Sequence, residues 1–398
     1  MSISLLRNRT LIGATFGHFS VDMYSGMLPL MLLVLTDPLG LSYGQIGFAS
    51  MSYSLAASIS QPFFGWLGDK RGSRQIAVLG VAAIAVTVGL MRFVDQYAVL
   101  LVLAVIAGLG SAAYHPQGAM LAALTPPAQR GSAASIFMLG GNTGYAFGPI
   151  LGSQAFVLAG GLLPELFAFV GLGQAALVFL ALAKENANPA ARSTAISTEA
   201  TTRAALSVII ALGLVLFLRS WVQTSISTYI PQIYKAQGAS NQEAGNILFS
   251  ILLPLAIGGL IGGTLSDKIG RRRVLIASTV LIGPALWGML HITGPAAYLL
   301  GPLLGVAIGA SVPVTLVMAQ NLVPRGLGLM SGVVLGFTFI AGAIGVGING
   351  VLADQIGLVP TMTINAALPV AAALLAFFLP DDRPGVGAPA QASALPIQ

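Results

Sequence analysis

The sequence predicts an all-α integral membrane protein with twelve transmembrane helices arranged as two parallel six-helix repeats. Three observations predict it: a composition too apolar for a water-soluble domain, a succession of apolar runs long enough to cross a bilayer, and a loop motif that returns in the second half. Of 398 residues, 56% are hydrophobic and 8% charged, against about 25% charged in a soluble domain, and the mean hydropathy is +0.88. The 49 glycines and 22 prolines lie inside apolar runs, where small residues let membrane helices approach closely. Absence of cysteine excludes disulfides and thiolate metal sites. The net charge of +6 does not point to nucleic acid, because the basic residues gather at helix ends on one side, as topology requires. Nothing resembles a nucleotide-binding loop, and no catalytic constellation sits on a soluble domain, so ATP-driven pumping, enzymatic chemistry, a cofactor and a metal are all unexpected.

A window of about 19 residues, broken at charged or Pro/Gly-rich turns, gives spans at 11–35, 44–68, 74–93, 97–124, 131–158 and 163–183, then 205–231, 243–266, 273–293, 296–320, 327–352 and 358–379. Arg7 and Arg9 precede the first run as in a signal peptide, but about 25 apolar residues are too many for a cleaved segment. Residues 184–204 are polar, without apolar periodicity, and read as a cytoplasmic linker between an N-terminal bundle, 1–183, and a C-terminal bundle, 205–380. The tail, 381–398, is rich in Pro, Ala and Gly and is expected to be disordered. All but Arg92, Lys235 and Arg219 of the 18 Lys and Arg fall in termini and loops on one side, which places both termini in the cytoplasm. An odd helix count would break that alternation.

Internal repetition supports the two bundles. Gly65-Trp66-Leu67-Gly68-Asp69-Lys70-Arg71-Gly72-Ser73-Arg74 returns 198 residues later as Gly263-Thr264-Leu265-Ser266-Asp267-Lys268-Ile269-Gly270-Arg271-Arg272, each after the second span of its half. Arg130-Gly131 before the fifth span is likewise answered by Arg325-Gly326 before the eleventh. Parallel repeats place a pathway between them.

This repeated pattern resembles the signature loop between the second and third helices of the major facilitator superfamily, and the resemblance covers essentially the whole chain. It implies that Asp69, Arg71 and Arg74, with Asp267 and Arg271 in the second copy, latch a cytoplasmic gate; a cluster of topogenic charges is the plainer reading. In the fifth span, Gly144-x-x-x-Gly148-Pro149-x-x-Gly152 puts small residues on one face beside a proline that removes a backbone bond. It is similar to the antiporter motif of drug-exporting members, with gating roles for Gly144, Gly148 and Pro149, although Ser135 stands where a further glycine is expected and a generic packing face accounts for it as well. The fourth span has Ala104 where common drug antiporters carry an arginine. It carries instead Tyr114-His115-Pro116-Gln117-Gly118, which together with His18-Phe19-x-x-Asp22-x-Tyr24 resembles the fosmidomycin-resistance branch.

Four charged or imidazole side chains lie in the middle of spans and not at their ends: His18, Asp22, His115 and Arg219. His18 and Asp22, at i and i+4, share a helix face. An unpaired carboxylate at the bilayer centre costs about 2.5 to 3.5 kcal/mol, so Asp22 is either a buried partner that fixes packing or a proton-handling site with His18 and His115. Beside Pro116, His115 either bonds a freed carbonyl or faces a cavity. Matching the repeats puts Arg219 opposite Val21 or Gly17, at the depth of Asp22. Its planar fork suits a carboxylate or phosphonate, so it either pairs with Asp22 or holds an anionic substrate, and an alternation between the two is expected. The resemblance implies that the first, fourth, seventh and tenth helices line the cavity, which makes Tyr24, Tyr114, Trp221, Gln223 and Tyr229 candidate substrate contacts. Asn349 and Asp354 are read as helix-end groups of little consequence. The implied activity is proton-coupled export of a small anionic or amphipathic compound, by a monomer in the inner membrane. Import of an organic anion with protons and a scaffold or lipid-handling protein that moves no ion are the alternatives.

Overall fold

The first helix, α1 (Arg9–Leu39), starts where the Asn8 side chain accepts a bond from the Leu11 amide and stops where Gly40, at φ 58°, turns its amide back to the carbonyls of Thr36 and Asp37. At 31 residues it reaches about 46 Å, more than the hydrocarbon core requires. The computed structural model describes residues 5–122, 124–125, 130–157, 163–182, 206–292, 296–322 and 327–380. The expected linker, the tail and Arg325-Gly326 lie outside these residues.

After α1 come α2 (Tyr43–Ile59), α3 (Gln61–Arg71), α4 (Ser73–Leu90), α5 (Tyr97–Ala122), α6 (Arg130–Val157) and α7 (Leu163–Ala181). The second set is α8 (Leu206–Ala236), α9 (Asn241–Ile269), α10 (Arg271–His291), α11 (Ala297–Leu322), α12 (Leu327–Ile356), α13 (Leu358–Asn365) and α14 (Leu368–Ala376). The second predicted span is α2 and α3 end to end, interrupted at Ser60 just before Pro62, and the twelfth is α13 and α14. Nine helices among the described residues are long and apolar enough to cross a membrane. The repeat is visible in the backbone as well. Gly72 and Gly270 close the two motif loops at φ 91° and 99° with ψ 138° and 141°, a left-handed-φ conformation that suits glycine and disfavours any side chain.

The two sets meet along α2 with α12 and along α6 with α9. They are pinned at the end where α1 turns into α2. There the Asp354 carboxylate, near the end of α12, accepts from Ser42 Oγ at 2.8 Å and from the Gly44 amide at 2.9 Å, so α12 caps the α2 N-terminus in trans. Deeper along the seam, Tyr229 donates to the Tyr43 carbonyl at 3.3 Å, Gln232 Nε2 donates to Thr36 Oγ1 at 3.3 Å, and Ser50 meets Thr228 at 3.3 Å. A Cβ on Gly44 or Gly47 would strike Asp354 or the Tyr229 hydroxyl, so the closure depends on glycine at both places.

Candidate functional site

Three side chains from two helices converge inside the first set. On α1, His18 Nε2 lies 3.2 Å from Asp22 Oδ2, one helical turn along. From α5, His115 Nε2 lies 3.1 Å from Asp22 Oδ1. Each imidazole is oriented from behind by a carbonyl: His18 Nδ1 by Phe137 O and His115 Nδ1 by Ser111 O, both at 2.8 Å. A carbonyl only accepts, so each Nδ1 carries hydrogen and each Nε2 is the exchangeable position. Two Nε2 atoms facing one carboxylate attract it only when a proton lies in each gap. The triad is therefore built around shared protons. Its ligand-type atoms all lie within 4.8 Å of one another, but each carboxylate oxygen is already taken by one imidazole at hydrogen-bond length, which suits protons better than a metal shell.

Packing holds the triad. His18 is buried and stacks on Phe137, ring centroids 4.0 Å apart, with the His115 ring edge-on at 5.1 Å. The side chains of Asp22 and His115 keep 18% and 24% of their exposure, which leaves them reachable from the interior of the bundle. A Cβ at Gly141 of α6 would overlap both the His18 ring and the Asp22 carboxylate. Gly144 and Gly148 continue that face against the Phe19 and Met23 carbonyls, so the glycines of the fifth span seat α6 on α1 beneath the triad. The Pro149 carbonyl lies beside Gly245 of α9, on the seam between the two sets.

Arg219 occupies the corresponding place in the second set. It is the fourteenth residue of the 31-residue α8, as Asp22 is of the 31-residue α1. Its residue exposure is 5%. Nη1 donates to Gln223 Oε1 at 3.1 Å, and Nε has no partner among the described residues. Among the described residues no carboxylate lies within ion-pair distance of it, and Asp22, the expected partner, is bracketed by histidines. Beside it, Trp221 Nε1 donates to Asn349 Oδ1 at 3.0 Å, and Asn349 Nδ2 donates to Ser225 Oγ at 2.9 Å.

The tyrosines expected at the cavity sit elsewhere. Tyr24, Tyr114 and Tyr229 are fully buried, with hydroxyls spent on the carbonyls of Phe167, Ala14 and Val346. They peg neighbouring helices together and present no surface to a cavity. Trp221 and Gln223 remain half-buried beside Arg219. Of the loop charges, Asp69, Arg71 and Asp267 are exposed at the ends of α3 and α9 and Arg271 is half-buried, while the Arg74 guanidinium sits 3.6 Å over the Phe179 ring. Gly141, Asn349 and Asp354 are the site and seam residues that sequence reasoning passed over. For Gly141 a signal existed, since it precedes Gly144 and Gly148 at helical spacing.

The family model of the Major Facilitator Superfamily matches residues 11–216 and again 212–397. The chain belongs to the Major Facilitator Superfamily. The double match is the internal repeat seen at another scale. A transporter of this superfamily in Bacillus subtilis (strain 168), the uncharacterized MFS-type transporter YfnC, is 33% identical over 380 residues, covering 92% of this chain and 91% of that one. The fosmidomycin resistance protein of Escherichia coli (strain K12) is 30% identical over 385 residues, covering 94% and 93%. Among solved structures, a bacterial homolog of the human lysosomal transporter Spinster, in an inward-facing and occupied conformation, aligns with a TM-score of 0.79 at 15% identity over 94% of this chain and 97% of that one. A D-xylose–proton symporter aligns with a TM-score of 0.73 at 16% identity over 96% and 99%. At such identities the structures show the fold. This superfamily member is a multi-pass membrane transporter that resembles the fosmidomycin-resistance subfamily.

Proposed function

We propose that this transporter moves protons inward across the inner membrane, with both termini cytoplasmic, and couples them to export of a small anionic or amphipathic compound by alternating access. The observation that carries the reading is the contrast at one depth: a carboxylate held by two imidazoles through exchangeable protons, and a buried guanidinium without a counter-ion among the described residues. Arginine does not give up its charge, so Arg219 calls for an anion. The name of the Escherichia coli relative, a resistance protein, supports export.

The triad supplies the coupling. Loaded, it carries a proton in each gap around Asp22. Emptied, it presents carboxylate oxygens and imidazole lone pairs that all seek hydrogen. A compound with its anionic end on Arg219 and hydroxyl or N–H donors on Asp22 and His115 satisfies the emptied triad, and incoming protons displace it. Competition for the same acceptors is what antiport requires. Each proton crossing gains about 2.3 kcal/mol per 100 mV. Asp69, Arg71, Arg74, Asp267 and Arg271 serve the cytoplasmic gate in this scheme, and Gly144, Gly148 and Pro149 support the hinge of α6 on α1.

One observation favours a second reading. Loading the triad adds positive charge at the depth of Arg219, which strengthens anion binding and moves proton and anion the same way. That is import of an organic anion. Proteoliposomes with a trapped pH dye, challenged with phosphonates, carboxylates and cationic drugs, separate the two: export predicts proton movement opposite to the compound, import predicts parallel movement. No proton response to any member of the panel overturns both readings and leaves a non-transporting role.

A further inference from the structure

The short helix α3 is set apart from α2. At the interruption the carbonyls of Ala56 and Ala57 accept from side chains, the first from Ser60 Oγ and the second from Gln61 Nε2 at 3.0 Å, and Pro62 has no amide hydrogen with which to continue the ladder. The bend is thus satisfied by side chains that stand at the bend itself. Beyond it α3 has little to hold it. Phe63 and Trp66 are 55% and 50% exposed, Asp69, Lys70 and Arg71 are exposed, and Gly68 is the one buried residue of the helix.

What anchors α3 is α5, at the two residues that follow His115. Gln117, 2% exposed, donates from Nε2 to the Phe64 carbonyl at 2.6 Å. A Cβ on Gly68 would overlap the Gln117 amide, and one on Gly65 would come into contact with Pro116. The glycines of the repeated motif therefore seat α3 on Pro116 and Gln117, and the same motif continues into Asp69 and Arg71 of the loop. Pro116 lies inside α5 and leaves the carbonyl four residues before it without its helical partner, so His115 and Gln117 flank the place where α5 itself kinks. Packing alone would be served there by an apolar side chain of the same length. A buried amide is left unsatisfied whenever α3 moves without it.

We propose that Gln117 is the positioning residue through which the proton state of the triad reaches the cytoplasmic gate. When His115 shifts against Asp22, α5 flexes at Pro116, and Gln117 carries α3 with it about Ser60, so that Asp69 and Arg71 move as one piece. This rests on the proton role of the triad given above. Besides the two imidazoles, the titratable groups around Asp22 are Tyr53, Tyr114 and Tyr145; α3 carries Asp69, Lys70 and Arg71 at its exposed end, with Arg74 of α4 beyond the loop. The test places spin labels at Lys70→Cys on α3 and at Leu180→Cys on α7, where Leu180 is 58% exposed. Both sites belong to the first set, so rocking of one set against the other leaves the pair unmoved. The distance is read on the full chain in lipid at acid and alkaline pH, beside nitrogen-15 spectra of the imidazoles. Lys70 stands ten residues beyond Ser60, and on an arm of about 15 Å a change of about 20° in the bend moves it by about 5 Å. The wild type is expected to show that shift together with titrating imidazoles, and Asp22→Asn to lose the shift. Gln117→Leu is expected to keep the titration and give one broad distance distribution, the same at both pH values. Gly68→Ala, which displaces the amide from the α3 side, is expected to do likewise. An unchanged distance in the wild type while the imidazoles titrate, or a wild-type shift that survives in both Gln117→Leu and Gly68→Ala, overturns the coupling and leaves the triad standing. Imidazoles that do not titrate overturn both.

Discussion

Asp22 and Arg219 sit at the same register of equivalent helices, yet their surroundings are opposite. The acid of the first set has two imidazole partners, each held by a carbonyl behind it. The base of the second set has, among the described residues, one neutral amide and an orphaned Nε. In a medium where an uncompensated charge is costly, the first arrangement is complete without a ligand and the second is not. In the proposed scheme the duplicated scaffold divides its labour, with exchangeable protons on one side and a fixed charge that takes a guest on the other.

The comparison breaks most severely at its acid. Asp22→Asn removes the anchor of both imidazoles, and proton-coupled flux in proteoliposomes should fall about 100-fold, in the range that positioned proton-transfer groups supply, while exchange of the compound across a membrane without a pH gradient persists. Coupled flux at the wild-type rate would end the proton reading. Arg219→Gln should weaken equilibrium binding of an anionic compound about 10- to 100-fold, as loss of charged hydrogen bonds does, whereas Arg219→Lys should recover only part of it because the planar fork is gone. Equal affinity in all three proteins would exclude Arg219 as the anion site.

Smaller substitutions sharpen the contrast. Gly141→Ala drives a methyl group into His18 and Asp22; coupled flux should drop about 10-fold, since a displacement near 1 Å at a reacting site costs up to about 100-fold. Thermal stability separates this local effect from general misfolding. Asn349→Ala frees the Trp221 indole, and both the tryptophan emission and the affinity for the anion should change, the latter by a few-fold, in line with about 1 kcal/mol for a neutral hydrogen bond. An effect of similar size is expected away from both charges. Asp354→Ala removes the trans cap on α2, shifting the balance between conformations about 5-fold toward opening at the α1–α2 end, the worth of a lost cap. A chain without cysteine allows this to be read by single-cysteine labelling at that end.

Much of the molecule was legible before any coordinates. Run length set the spans, and the Asp-Lys-x-Gly motif located the loops that Gly72 and Gly270 close with nearly the same backbone angles. The i, i+4 spacing put His18 and Asp22 on one face, and the repeat put Arg219 at their depth. The tyrosines were misleading because a buried hydroxyl satisfied by a distant carbonyl and one facing a cavity look alike in sequence. Asp354 was passed over for the opposite reason: an acid at a helix end is unremarkable until another helix N-terminus is brought against it.

By itself the sequence determined that this chain crosses a membrane repeatedly, that its halves are related, and which few ionisable groups are carried into the apolar region. Those conclusions follow from composition and spacing, because bilayer thickness and helical rise convert residue counts into depth. Tertiary structure alone decided the partners: that Asp22 belongs to His18 and His115, that Arg219 is left with Gln223, and that Asp354 caps α2. The physical reason is that a transmembrane helix is apolar on nearly every face, so periodicity does not announce which face turns inward. Pairing across helices is settled by how closely backbones pass, at positions such as Gly141 and Gly44 where only a hydrogen atom fits.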